Sequence, residues 1–154
     1  VPNSSKNIYG LSSGQGSIHW FYLLNPPEGD HALTPHWNDN IWADAMRMQT
    51  VSYFNVDQTD PFAHVATVGE TSASSQPSLP IASAAGNIAV CAFISQALLT
   101  TLTGTQRGDV VGSGVQGFAD YLVVQDAPGA PTVTFGASTS TVWAGSAIDL
   151  RKVT

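Results

Sequence analysis

Ionic side chains are what this chain has least of. It carries five Lys and Arg and eleven Asp and Glu in 154 residues, whereas an ordinary soluble domain devotes about a quarter of its residues to charge. The five bases, Lys6, Arg47, Arg107, Arg151 and Lys152, form no stripe or cluster. A nucleic-acid partner is therefore not expected, because phosphates need a basic footprint. Anionic membrane surfaces are disfavoured for the same reason. Long apolar runs are also missing, and nothing approaches the ~18–20 residues of a membrane-spanning helix. Cysteine occurs once, at Cys91, which excludes an intrachain disulfide. That residue lies in the apolar run Ile88–Ile94 and reads as a small core side chain, since a reactive thiol wants a cationic, partly exposed setting.

Recognisable catalytic chemistry is equally sparse. Glutamate is limited to Glu28 and Glu70, both beside loop signals. The aspartates Asp30, Asp39, Asp57, Asp60, Asp109 and Asp126 read mostly as turn residues, where the carboxylate bonds its own backbone. No serine sits in a G-x-S-x-G elbow and no glycine-rich stretch matches a phosphate loop. His31 and His36 lie five apart across Pro35 and do not converge, as metal ligands within ~2.0–2.2 Å of one ion must. A metal-assisted hydrolase built on them is the weakest reading. Calcium at Asn38-Asp39-Asn40 or Asp57–Asp60 lacks a ligand-spacing motif. No enzyme activity, metal or cofactor is expected.

What the chain does have is short strand-forming runs separated by turn chemistry. Hydrophobic residues make up 43%, enough for one domain with a core. Candidate strands are Ile18–Leu24, Asp30–Trp37, Ile41–Phe54, Phe62–Val68, Ser78–Ala82, Asn87–Ser95, Phe118–Asp126, Thr132–Phe135 and Val142–Arg151. Ala43–Met48 could form a helical turn, but its alternation fits a strand equally well. Breakers rich in Gly, Pro, Asn and Asp recur every 8–12 residues or so, the pattern of an all-β sandwich or barrel. The expectation is an antiparallel fold of about eight to ten short strands. Gly104–Gly117 reads as a long loop at a hairpin tip, and its Arg107-Gly108-Asp109 tripeptide is too short to signify adhesion. Residues 1–17 read as a polar arm, with Ile8-Tyr9-Gly10-Leu11 as its one strand candidate, and residues 18–154 as the domain. The start at Val1 suggests a removed leader or an absent upstream segment, and Asn3-Ser4-Ser5 is an N-glycosylation sequon. Both point to the outside of a cell or virion.

Aromatic residues carry a second reading. Trp20, Tyr22, Trp37, Trp42, Tyr53 and Trp143 suffice for a stacking platform under a sugar ring. Trp37 and Trp42 are the candidates for exposed stacking residues, while the rest read as core or subunit contact. A carbohydrate-binding module is thus the alternative from a different class.

Four segments carry a family likeness: Tyr22–Gly29, Val51–Pro61, Ser83–Val90 and Trp143–Leu150. In that order they resemble a jelly-roll-like β-sandwich module of secreted bacterial surface proteins and phage virion proteins. The resemblance implies a structural or adhesive role and offers no catalytic residues. Modules of this kind usually have further strands before the first segment, and here a short polar arm stands in their place. A sandwich short of strands exposes backbone edges, and a strand supplied by a neighbouring copy would cover them. Head-to-tail repetition of that contact makes a filament. Ile8, Tyr9, Leu11, Ile18, Trp20 and Tyr22 are the expected contact residues. The expected function is a non-enzymatic subunit that self-assembles into an extracellular filament or surface array, or in a close variant a phage capsid decoration or tail protein.

Overall fold

The computed structural model describes residues 5–8, 18–34, 48–97, 99–111, 121–128, 132–137 and 140–153. Among these residues there are ten strands: β1 (Ser5–Ile8), β2 (Ile18–Phe21), β3 (Phe62–Ser74), β4 (Ser78–Pro80), β5 (Ile88–Ser95), β6 (Leu99–Leu102), β7 (Thr105–Val111), β8 (Tyr121–Pro128), β9 (Thr132–Ala137) and β10 (Thr141–Leu150). No helix occurs among the described residues, so none there is long and apolar enough to cross a membrane. The fold is all-β, with every strand pair antiparallel. A five-stranded sheet has the order β3-β10-β5-β8-β7, a three-stranded sheet the order β4-β9-β6, and β1 pairs with β2 alone.

β5 lies at the centre of the largest sheet because its sequence is apolar on both faces. Successive side chains alternate between two cores. Ala89, Cys91 and Phe93 join Leu79 of β4, Val133 of β9 and Trp143 and Ala147 of β10 on one side. Val90, Ala92 and Ile94 join Ile18 of β2, Ala144 and Leu150 on the other, with Trp20, Tyr53, Val56 and Phe62 packed against them. On one face of the five-stranded sheet, Leu79 of β4 and Val133 of β9 thus complete the core. The opposite face is covered by β2 and the irregular segment 48–61.

Gly145 stands opposite Phe93 in the ladder, and the Phe93 ring lies over it. A Cβ there would meet Phe93 Cε1 at 2.7 Å, so only glycine lets this fully buried ring lie flat on β10. A register shift between Asp149 and Leu150 does comparable work at the other end. Strict alternation would put Phe62 on the face of Ala66 and Val68, but the bulge turns it into the opposite core.

Several expectations change. Residues 48–54 form no strand, 30–34 are irregular, and Thr71–Ser74, read as a breaker, completes β3. Ile18–Leu24 is a strand only to Phe21. The long loop expected from Gly104 is instead β7 over Thr105–Val111, with Arg107-Gly108-Asp109 in a ladder and not at a hairpin tip. Its bulge between Gln106 and Gly108 breaks the alternation that would have revealed it. β6 was hidden in the same way, by a shift between Leu99 and Thr101. Residues 35–47 and 112–120, including the helical-turn candidate apart from Met48, lie outside the described residues.

Candidate functional site

Two aspartates are buried in the five-stranded sheet, one on each face. Asp126, read from the sequence as a turn residue, stands opposite Val90 within β8 and is 2% exposed. Its Oδ1 accepts the Tyr53 hydroxyl and its Oδ2 accepts Arg107 Nε. The partners come from the irregular segment 48–57 and from the sheet edge. The carboxylate therefore pins residues 48–54, which form no strand and lie ahead of the Val56–Lys152 bridge. Burial, reinforced by the adjacent carboxylate, holds the Tyr53 phenol well above its ordinary value near 10. The bond to Asp126 also raises the pKa of the Arg107 guanidinium. Asp149, on the opposite face, is fully buried and accepts Ser83 Oγ at 2.7 Å and Asn87 Nδ2 at 2.7 Å. Asn87 Oδ1 in turn accepts the Lys152 amide at 3.3 Å. Both carboxylates are fully engaged as structural acceptors.

Cys91 is buried, and desolvation pushes its thiol up to about 12, which agrees with the core reading. Among the described residues no group of three or more His, Cys, Asp or Glu could hold a metal ion. His31 Nε2 lies 3.2 Å from the Glu28 carbonyl, and His36 is outside the described residues. Asp57 Oδ1 accepts the amides of Thr59 and Asp60 at 2.8 and 3.1 Å. Those bonds hold the Asp57 carboxyl below its ordinary range. Asp60 pairs with Arg151. The calcium candidates that are described are thus turned to backbone and guanidinium.

The residues expected at a subunit contact are placed as follows. β1 pairs with β2 of its own chain, Ser5 opposite Phe21 and Ile8 opposite Ile18. Ile18 is buried and Trp20 half-buried in the core beneath, and Trp20 Nε1 donates to Ser146 Oγ at 2.6 Å. Tyr22 meets Phe62 edge to face, with ring centroids 4.5 Å apart. Ile18, Trp20 and Tyr22 therefore contact their own sheet. Asn3, Tyr9, Leu11, Trp37 and Trp42 lie outside the described residues. Of the aromatic platform, Trp143 is core and Tyr53 bonds Asp126.

Among the described residues, the two strongly exposed aromatics are ones the sequence did not single out. Phe21 is 74% exposed and Phe54 89%. Phe21 alternates with Trp20, so its ring points away from the core that Trp20 enters. Phe54 precedes Asn55, whose φ of +58° belongs to the left-handed region that Asn tolerates better than most residues. An Asn after an aromatic in a Gly- and Pro-free stretch is the one local signal that could have marked it. Phe54 stands at the rim of a shallow depression of about 230 Å³, floored by Ile88 and Leu150 and flanked by Arg151 and Lys152.

No family model, curated protein or solved structure matches this chain. The likeness to jelly-roll modules rests on its four segments alone.

Proposed function

We propose that the chain is a non-enzymatic structural subunit whose two larger sheets form a jelly-roll-like β-sandwich, and that copies of it assemble into an extracellular filament or surface array. The same reading covers a subunit on a virion surface. The observation that carries it is the β1–β2 pairing. β1 is joined to β2 by residues 9–17, and its four ladder partners are all on β2. A neighbour's Ser5–Ile8 can take the same four positions, so the closed and exchanged forms differ only in the path of the connector. Exchange of an identical element is a low-cost route to association. The outer surface supports the same reading. Phe21 at 74%, Leu33 at 59% and Leu23 at 46% exposure add apolar area to a chain with few charges to desolvate on contact.

Deletion of residues 1–12, followed by light scattering and negative-stain imaging, tests the proposal. Loss of assemblies with retained β circular dichroism is the expected result. Assemblies of unchanged size would overturn the role of the arm. A native chain that stays monomeric at high concentration would overturn the assembly reading itself.

A further inference from the structure

The depression beside Phe54 is built on a rigid clasp. Residues 55–61 and 151–153 are tied by Val153 N–H to Asn55 O at 3.0 Å, Asp57 N–H to Arg151 O at 2.9 Å and Arg151 N–H to Pro61 O at 2.8 Å. An antiparallel bridge joins Val56 and Lys152. The walls therefore need little ordering when something binds, which favours recognition even in a shallow site. At about 230 Å³ it falls below the ~300–1,000 Å³ of pockets for drug-sized ligands. It fits a single ring.

The lining specifies the chemistry of that ring. The Phe54 face is free to stack against apolar C–H groups, and Ile88 and Leu150 supply the floor. Asn55 provides an amide that both donates and accepts, suited to vicinal hydroxyls. Arg151 and Lys152 are two of only five basic residues in a chain of net charge -6. They stand together at this one depression. Arg151 is paired with Asp60, whereas Lys152 has no ion pair among the described residues. The Lys152 stem runs beside Gly86, its Cδ 3.8 Å from where a Cβ would stand. At φ +89° that position strains any other residue. A local cation next to a stacking face calls for an anionic, hydroxylated ring.

We propose that this depression binds one acidic sugar residue of the hexuronate class, with the ring stacked on Phe54, the carboxylate on Lys152 and the hydroxyls on Asn55. The site is independent of the arm and does not require assembly.

Titrating the full chain with galacturonate, glucose and benzoate, and following backbone amide shifts at Asn55, Gly86 and Lys152 by NMR, tests it. Galacturonate is expected to bind in the millimolar range and to move all three amides. Glucose should bind at least about fivefold more weakly, and benzoate should not compete. F54A should cut galacturonate affinity about tenfold, and F54Y should restore it. K152Q should reduce galacturonate to the level of glucose, and K152R should restore the preference. Phe54 is almost fully exposed, so an unchanged melting temperature will show that F54A is folded. No shift with galacturonate, equal binding of glucose or benzoate, or an F54A protein that binds normally would each overturn the proposal.

Discussion

Asp149 and Asp126 are both buried in one sheet, yet their surroundings differ. Asp149 sits between two neutral donors, Ser83 and Asn87, on the face of Ala89, Phe93 and Trp143. Asp126 sits between a phenol and a half-exposed guanidinium on the face covered by β2 and segment 48–61. The first face is closed by packed apolar side chains, several of them fully buried. The second is closed by a cover that has little ladder of its own and depends on polar anchors. Packing resists salt and pH, whereas anchors respond to both. The exposed features proposed for assembly and sugar binding, Phe21 and Phe54, belong to the elements of this second cover.

The largest expected effect breaks the packed face. Phe93→Ala removes a fully buried ring that touches Gly145 and meets Trp143 at 6.1 Å between centroids. It should cost about 3–5 kcal/mol in denaturant unfolding. Gly145→Ala attacks the same contact by overpacking and should cost about 1–3 kcal/mol. If it proves neutral, the ring is not locked as described.

Next comes the anchored face. Tyr53→Phe removes the hydroxyl from Asp126 and should cost about 1–2 kcal/mol, less than the full value for a charged acceptor because the ring is only half-buried. Its signature is local: protease cleavage within 48–60 should rise before the sheet unfolds. Arg107→Ala should loosen the same segment. The stability difference between Arg107→Ala and the native chain should shrink in high salt, whereas Ser83→Ala on the packed face should show a small, salt-independent loss of about 0.5–1.5 kcal/mol.

Alkaline titration sharpens the contrast further. The folded pKa of Tyr53 is raised above its ordinary value near 10, so above that pH the unfolded chain releases this proton first. Stability contributed by the neutral phenol is present below pH 10 and is lost as pH rises beyond it. Cys91 acts in the same direction, between its ordinary 9.0 and about 12. Melting temperature should therefore fall from pH 9 upward, and Tyr53→Phe should flatten the part above pH 10. A flat profile in the native chain would contradict the burial of both groups.

The smallest effect concerns the end of β2. Trp20→Phe keeps an aromatic ring at this position but deletes the bond to Ser146, a hydrogen-bond loss of about 0.5–1.5 kcal/mol.

Local chemistry made much of this fold readable. Ile88–Ser95 is apolar at every position up to its last residue, and Gly86 ahead of it takes a φ of +89°, so a buried strand after a turn follows from the residues themselves. β3, β8, β9 and β10 were legible for similar reasons. Segment 48–54 misled because its alternation suits a strand, although it is held by the Tyr53 side chain and not by a backbone ladder. β6 and β7 were hidden because bulges interrupt their period and glycine flanks them. The candidate site was barely legible: Phe54 and Lys152 are 98 positions apart in the numbering, and no local pattern links them.

Composition and short-range periodicity thus determined that this chain is all-β, without an intrachain disulfide and poor in charge. These properties depend on each residue and its immediate neighbours. The strand order, the union of Tyr53, Arg107 and Asp126, and the clasp that sets Phe54 beside Arg151 and Lys152 were decided only by tertiary structure. Each depends on which strand lies next to which, and antiparallel pairing between distant segments is chosen by the fit of whole faces in the core, an energy that no single stretch of sequence contains.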